Sequence, residues 1–114
     1  MALDAVFSEV TTDAGTARGV VRPEHARQLC EGHFPGRPIV PGAYLAGLMA
    51  ELAATLTAAT APAVLERCVF LAQVAPHGEI VVTARRADPT RVEAQVHRYG
   101  VCAARATLRF GAET

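Results

Sequence analysis

Two side chains stand out as able to move protons. His33 lies in the run Gly32-His33-Phe34-Pro35-Gly36-Arg37-Pro38-Ile39-Val40-Pro41-Gly42, and Glu51 is the only charged residue between Pro38 and Leu65. A histidine is the one side chain whose unperturbed pKa lies near neutrality. Pro35, Pro38 and Pro41 fix φ and push the residues before them toward extended geometry, so His33 to Pro41 is a stiff, non-helical lead-in. A helix can begin only after Pro41. Its first N–H groups have no intrahelical acceptor and carry the positive end of the helix dipole, so a base on this loop would work beside a site that favours negative charge. The competing reading of His33 is a buried histidine that merely hydrogen-bonds backbone, and the surrounding prolines and glycines weigh against it. Cys30-x-x-His33 has the form of half a metal site, but no second pair of ligands follows at suitable spacing, so no metal is expected.

The element that must carry Glu51 is a helix from Gly42 to about Thr57. Ala43, Leu45, Ala46, Leu48, Met49, Ala50, Leu52, Ala53 and Leu56 make it apolar on nearly every face, which requires wrapping on most sides. Pro62 breaks the helical pattern, and from there the hydrophobic period becomes two. Val64 to Val74, Glu79 to Arg86, Arg91 to Arg98 and Val101 to Phe110 read as strands. In the third of these Val92, Ala94 and Val96 share one face while Arg91, Glu93, Gln95 and His97 share the other; in the fourth Cys102, Ala104, Ala106, Leu108 and Phe110 oppose Arg105, Thr107 and Arg109. One face is dry and one wet. Before the lead-in, Asp4 to Val10 and Thr16 to Arg22 form an expected hairpin around Thr12-Asp13-Ala14-Gly15. Pro23 to Leu29 then has the acidic, Pro-led start of a short helix, with His25 expected on its exposed side. His77 and His97 read as a turn residue and a wet-face residue. Two strands, one long apolar helix and four antiparallel strands make an α+β domain, its sheet wrapped around the helix and a single domain spanning residues 1–114.

Eleven basic and eleven acidic residues give a formal net charge of zero, so no basic field argues for nucleic acid. Every basic residue apart from histidine is arginine, which we read as coding bias. Cys30, Cys68 and Cys102 are odd in number and far apart, which argues for a reducing compartment and against a disulfide scaffold. The amino terminus has Asp4 and Glu9 and no positively charged segment, so a cytoplasmic location is expected. The nearly uncharged run from Pro38 to Leu65 invites a membrane reading. Its prolines, glycines, alanines and threonines make a buried helix the better one, and no membrane partner is expected.

His33-Phe34-Pro35-Gly36-Arg37-Pro38 followed by Ile39-Val40-Pro41-Gly42 resembles the HFPGxPxxPG signature of the 3-hydroxyacyl-acyl-carrier-protein dehydratases, the FabZ/FabA group. Cys68-Val69-Phe70 to Pro76 is similar, more weakly, to the strand after that family's helix. The resemblance implies a hotdog fold, and a dimer of two joined sheets with each active site at the subunit boundary. It also implies fatty-acid or polyketide biosynthesis, no cofactor, and a substrate carried as a thioester on acyl carrier protein or coenzyme A. Dehydration requires a base for the α-proton, a donor to the developing enolate oxygen, and an acid for the departing hydroxyl. By the resemblance His33 is the base, the Gly42 N–H meets the thioester carbonyl, and Phe34, Gly42 and Gly47 are the candidates to contact substrate. Gly42 could equally serve only to relieve crowding after Pro41.

The sequence departs from the family on the helix. Where the family has an Asp or Glu, fourteen residues after the histidine, this chain has Gly47. Glu51 lies one turn farther along, about 6 Å, on the same face, and is the candidate acid in its place. An alternative for Glu51 is an ion pair with an arginine at a dimer interface or helix edge. A second departure puts Leu71 and Ala72 at positions commonly basic in the family, leaving Arg67, Arg85 or Arg86 for any docking of a carrier protein. Three functions follow. The first is a 3-hydroxyacyl-thioester dehydratase with His33 as base. The second is a catalytically deficient subunit that pairs, as one half of a heterodimer, with an active hotdog homologue. The third, a thioesterase, would need a water-activating group that the sequence does not plainly supply.

Overall fold

The protein, described here by a computed structural model for residues 3–31, 36, 38–57 and 64–111, builds its period-two segments into one sheet. In chain order the elements are α1 (Leu3–Val6), β1 (Phe7–Asp13), β2 (Thr16–Val21), α2 (Pro23–Cys30), α3 (Gly42–Ala53) with a 3₁₀ turn over Ala54–Leu56, β3 (Val64–Phe70), β4 (Ile80–Asp88), β5 (Arg91–Arg98) and β6 (Val101–Arg109). The sheet order is β1-β2-β4-β5-β6-β3, antiparallel at every pairing. β1 and β3 are therefore its two edges.

The alternation read in β5 and β6 is the one that packs. Val92, Ala94 and Val96 are buried, as are Ala104, Ala106 and Leu108, and they meet Leu45, Leu48, Met49, Leu52 and Ala53 on the covered side of α3. Among the described residues no polar or charged residue is buried. α3 stops as an α-helix at Ala53 and tightens into the 3₁₀ turn, where the Thr55 hydroxyl donates to the Leu52 carbonyl at 2.7 Å and Arg86 donates to the Leu56 carbonyl at 3.2 Å. Those side chains take up carbonyls that the end of a helix leaves free.

Four expectations need correction. The first strand begins at Phe7 and not at Asp4, because Val6 and Phe7 are buried in succession, which a strand with one dry face does not allow. The preceding turn is held by the Arg22 N–H to Val6 carbonyl bond (2.8 Å) and by Arg22 Nε to the Asp4 carbonyl (2.6 Å). β3 ends at Phe70 and does not reach Val74. There β6 carries an irregularity at Ala103, whose carbonyl accepts from both Leu71 (2.8 Å) and Ala72 (3.1 Å) and so leads the chain out of the ladder. His25 is half-buried and not a fully exposed side chain. Finally, the sheet covers only one side of α3: Ala43, Tyr44 and Gly47, and Ala54 of the 3₁₀ turn after it, are exposed in the single chain.

Candidate active site

The amino end of α3 is fixed from two directions. The buried Val40 donates its N–H to the Val74 carbonyl at 2.7 Å, tying the end of the lead-in to the segment that leaves β3. Pro41 caps the helix, and its carbonyl accepts from Tyr44 (2.9 Å) and Leu45 (3.2 Å). Among the described residues the N–H groups of Gly42 and Ala43 have no acceptor, so two donors point out of the helix start. Phe70, at the end of β3, lies against Gly42: a Cβ there would stand 3.1–3.3 Å from the ring carbons. Glycine at position 42 thus allows a close aromatic contact, a crowding reason for it that concerns Phe70 and not Pro41. The free N–H remains beside it.

Gly47 presents the opposite situation. No described atom lies within 4 Å of where its Cβ would be, and the residue is exposed. Its absent side chain leaves open space along the uncovered side of α3, bordered one turn on by the half-buried Glu51. Glu51 forms no ion pair or hydrogen bond with another described residue, so no described arginine satisfies it. Gly42 is nearly on the other side of the helix from Glu51, since nine residues at 3.6 per turn make two and a half turns. Its N–H groups, however, point along the axis. His33 and Phe34 lie outside the described residues.

Sequence reasoning missed the surface beside this helix. Leu65 (47 % exposed) and Phe70 (51 % exposed) are inner-face residues of β3, opposite Leu108 and Ala104 in register, yet about half of each side chain is left uncovered by the described residues. Leu71 and Tyr44 are also exposed. Alternation identified the strand, but only the pairing order shows that it is an edge. The cysteines are free, and burial pushes the thiols of Cys30 and Cys68 above the ordinary thiol range, which keeps them protonated at neutral pH. Among the described residues there is no cluster of metal-ligating side chains and no helix long and apolar enough to cross a membrane.

The fold and sequence have known counterparts. The structure is similar to the dehydratase heterocomplex ApeI:P from Xenorhabdus doucetiae, with a TM-score of 0.75 at 15% identity over 94% of this chain and 97% of that one. It is also similar to the uncharacterized protein PH1136 from Pyrococcus horikoshii (TM-score 0.67, 17% identity, 95% and 85% covered). A third counterpart is the PaaI protein of the E. coli phenylacetic acid degradation operon (TM-score 0.60, 17% identity, 89% and 81% covered). The six-stranded antiparallel sheet packed on one helix is the hotdog fold. The match to a family is more specific than the likeness in fold: residues 9–106 match the ApeI-like family, ApeI dehydratase. That match is to a hotdog dehydratase family and not to the FabZ/FabA group in particular. With most of its length covered by the match, the chain belongs to the ApeI-like dehydratase family.

Proposed function

We propose that this protein dehydrates 3-hydroxyacyl thioesters, carried on acyl carrier protein in fatty-acid or polyketide biosynthesis, and does so as a subunit of a hotdog dimer. The observation that carries the reading is the conjunction of the His33-to-Gly42 signature with two unaccepted N–H groups at the start of α3. In the proposed step His33 removes the α-proton, and the electron pair moves toward the thioester carbonyl, whose oxygen gains negative charge. The Gly42 N–H and the helix dipole stabilise that charge. The pair then forms the α,β double bond as the C3–O bond breaks, and the hydroxyl leaves as water after taking a proton across the dimer interface from Glu51 of the partner subunit, since Glu51 of the same chain lies on the far side of α3 from Gly42. Phe34 and the open space at Gly47 border the acyl chain.

The dimer is supported by the uncovered inner side of β3 and α3, since an edge strand with exposed Leu65 and Phe70 is a surface that needs a partner. A second reading has a specific observation behind it. Gly47 leaves the usual acid position empty, so the chain would act as the deficient half of a heterodimer, supplying fold and tunnel to an active hotdog homologue. The solved ApeI:P neighbour, itself a dehydratase heterocomplex, supports pairing of this kind. The test is turnover of a 3-hydroxyacyl thioester by the purified protein alone. Turnover supports the first reading; inactivity alone, with activity on adding a hotdog homologue that retains the helix acid, supports the second.

A further inference from the structure

The outer face of the open edge carries an uncompensated pair of cations. Arg67 of β3 stands opposite Thr107 of β6, and Arg105 of β6 stands opposite Val69 of β3, so the two arginines are diagonal cross-strand neighbours. Diagonal neighbours lie about 7–8 Å apart at the backbone, and like charges on one face of adjacent strands are unfavourable. Both are exposed and line the same shallow hollow as Gln95 and Thr107. Neither makes an ion pair or hydrogen bond with another described residue. The nearby acids are committed elsewhere. Glu66 holds Arg91 (2.8 Å) and Arg109 (2.8 Å), and Glu93, which borders the hollow, is paired with Arg85.

A second copy joined through β3 would double this charge. Neighbouring strands sit about 4.8 Å apart, so an antiparallel twofold pairing centred on Arg67, the middle residue of β3, would bring it close to its own copy, with Arg105 one strand farther out on each side. The apolar inner side, Leu65 and Phe70 with the open flank of α3, does not distinguish a copy of this chain from a different subunit of the same shape. The arginines do. We infer that β3 selects, by Arg67 and Arg105, a non-identical hotdog subunit whose edge strand presents carboxylates on its outward-facing positions, and disfavours a second copy of this chain. The inference rests on the reading that the chain pairs through β3.

A charge-reversed copy of the chain can serve as the acidic partner. Self-association of the wild type, of R67E/R105E, and of their equimolar mixture is measured by sedimentation at about 0.01 M and about 1 M salt, where the Debye length is about 30 Å and about 3 Å. Circular dichroism verifies that the variant is folded. At low salt the mixture should dimerise about threefold to tenfold more tightly than wild type alone, and wild-type self-association should strengthen as salt is raised. R67Q/R105Q should self-associate more tightly than wild type at low salt. A wild-type dimer as tight as the mixture and indifferent to salt would overturn the selection while leaving pairing through β3 intact. Absence of any dimer in every combination would remove the pairing and the inference with it.

Discussion

Glu51 and Gly47 form a pair whose meaning depends on distance. The carboxyl lies one turn, about 6 Å, beyond the position where the signature's family has its acid, and a misplacement of even about 1 Å can cost about 100-fold in rate. If Glu51 protonates the leaving hydroxyl, Glu51→Gln should abolish dehydration by the isolated protein while leaving thermal stability nearly unchanged, because the amide keeps the shape but cannot give up a proton. Wild-type activity that survives this substitution would require an acid from outside α3. Gly47→Glu discriminates in the other direction. No described atom would clash with a side chain there, so the variant should fold. It should then gain activity if only the acid is lacking, or lose affinity for long acyl chains if the open space is the acyl path. Of these residues, the sequence marked the type and the spacing. It could not show that Gly42 lies against Phe70, since that contact joins a helix start to a strand end across the fold.

The elements beside the helix owe their order to contacts distant in sequence. Glu66 occupies the irregular position in β3, between Leu65 and Arg67, and bridges Arg91 on β5 and Arg109 on β6, which would otherwise face each other as like charges. Hydrogen bonds from the two arginines hold its carboxyl below the ordinary Glu range, and those from the Thr90 and Arg91 N–H groups do the same for Asp88 in the β4–β5 turn. A carboxylate whose pKa is depressed by folding contributes stability that is present above its unfolded value and is lost as pH falls through the folded one. Thermal stability should therefore drop as pH falls below about 4, and Glu66→Gln should flatten that drop slightly; an unchanged profile in the variant would contradict the role. In the core, Leu52 is fully buried against the sheet, and Leu52→Ala should cost about 2–5 kcal/mol by urea unfolding. The long helix and the β5–β6 alternation were legible because each depends on local period. The first strand's late start, the end of β3 at Phe70 and its place at the edge were not. They are set by which distant segment each residue meets.

At the scale of the whole molecule, the described residues form one layer of sheet packed on the long helix α3, and none of them covers the far side of that helix. The apolar character of α3 on nearly every face announced that something must cover it, yet one copy of the sheet covers only Leu45, Leu48, Met49, Leu52 and Ala53. A second subunit on that side would also bury Leu65 and Phe70. Leu65→Asp together with Phe70→Asp should shift any dimer toward monomer in sedimentation, because two carboxylates would be buried without partners; an unchanged dimer would place the interface elsewhere. The Leu52 and Leu65 substitutions thus separate the core from the open side. The central claim is chemical, and it turns on His33. Formation of the conjugated enoyl thioester from a 3-hydroxyacyl thioester, followed by its ultraviolet absorbance, should proceed with the purified wild-type protein and fall by about 100-fold or more in a folded His33→Ala variant. Equal rates in wild type and His33→Ala would contradict the account.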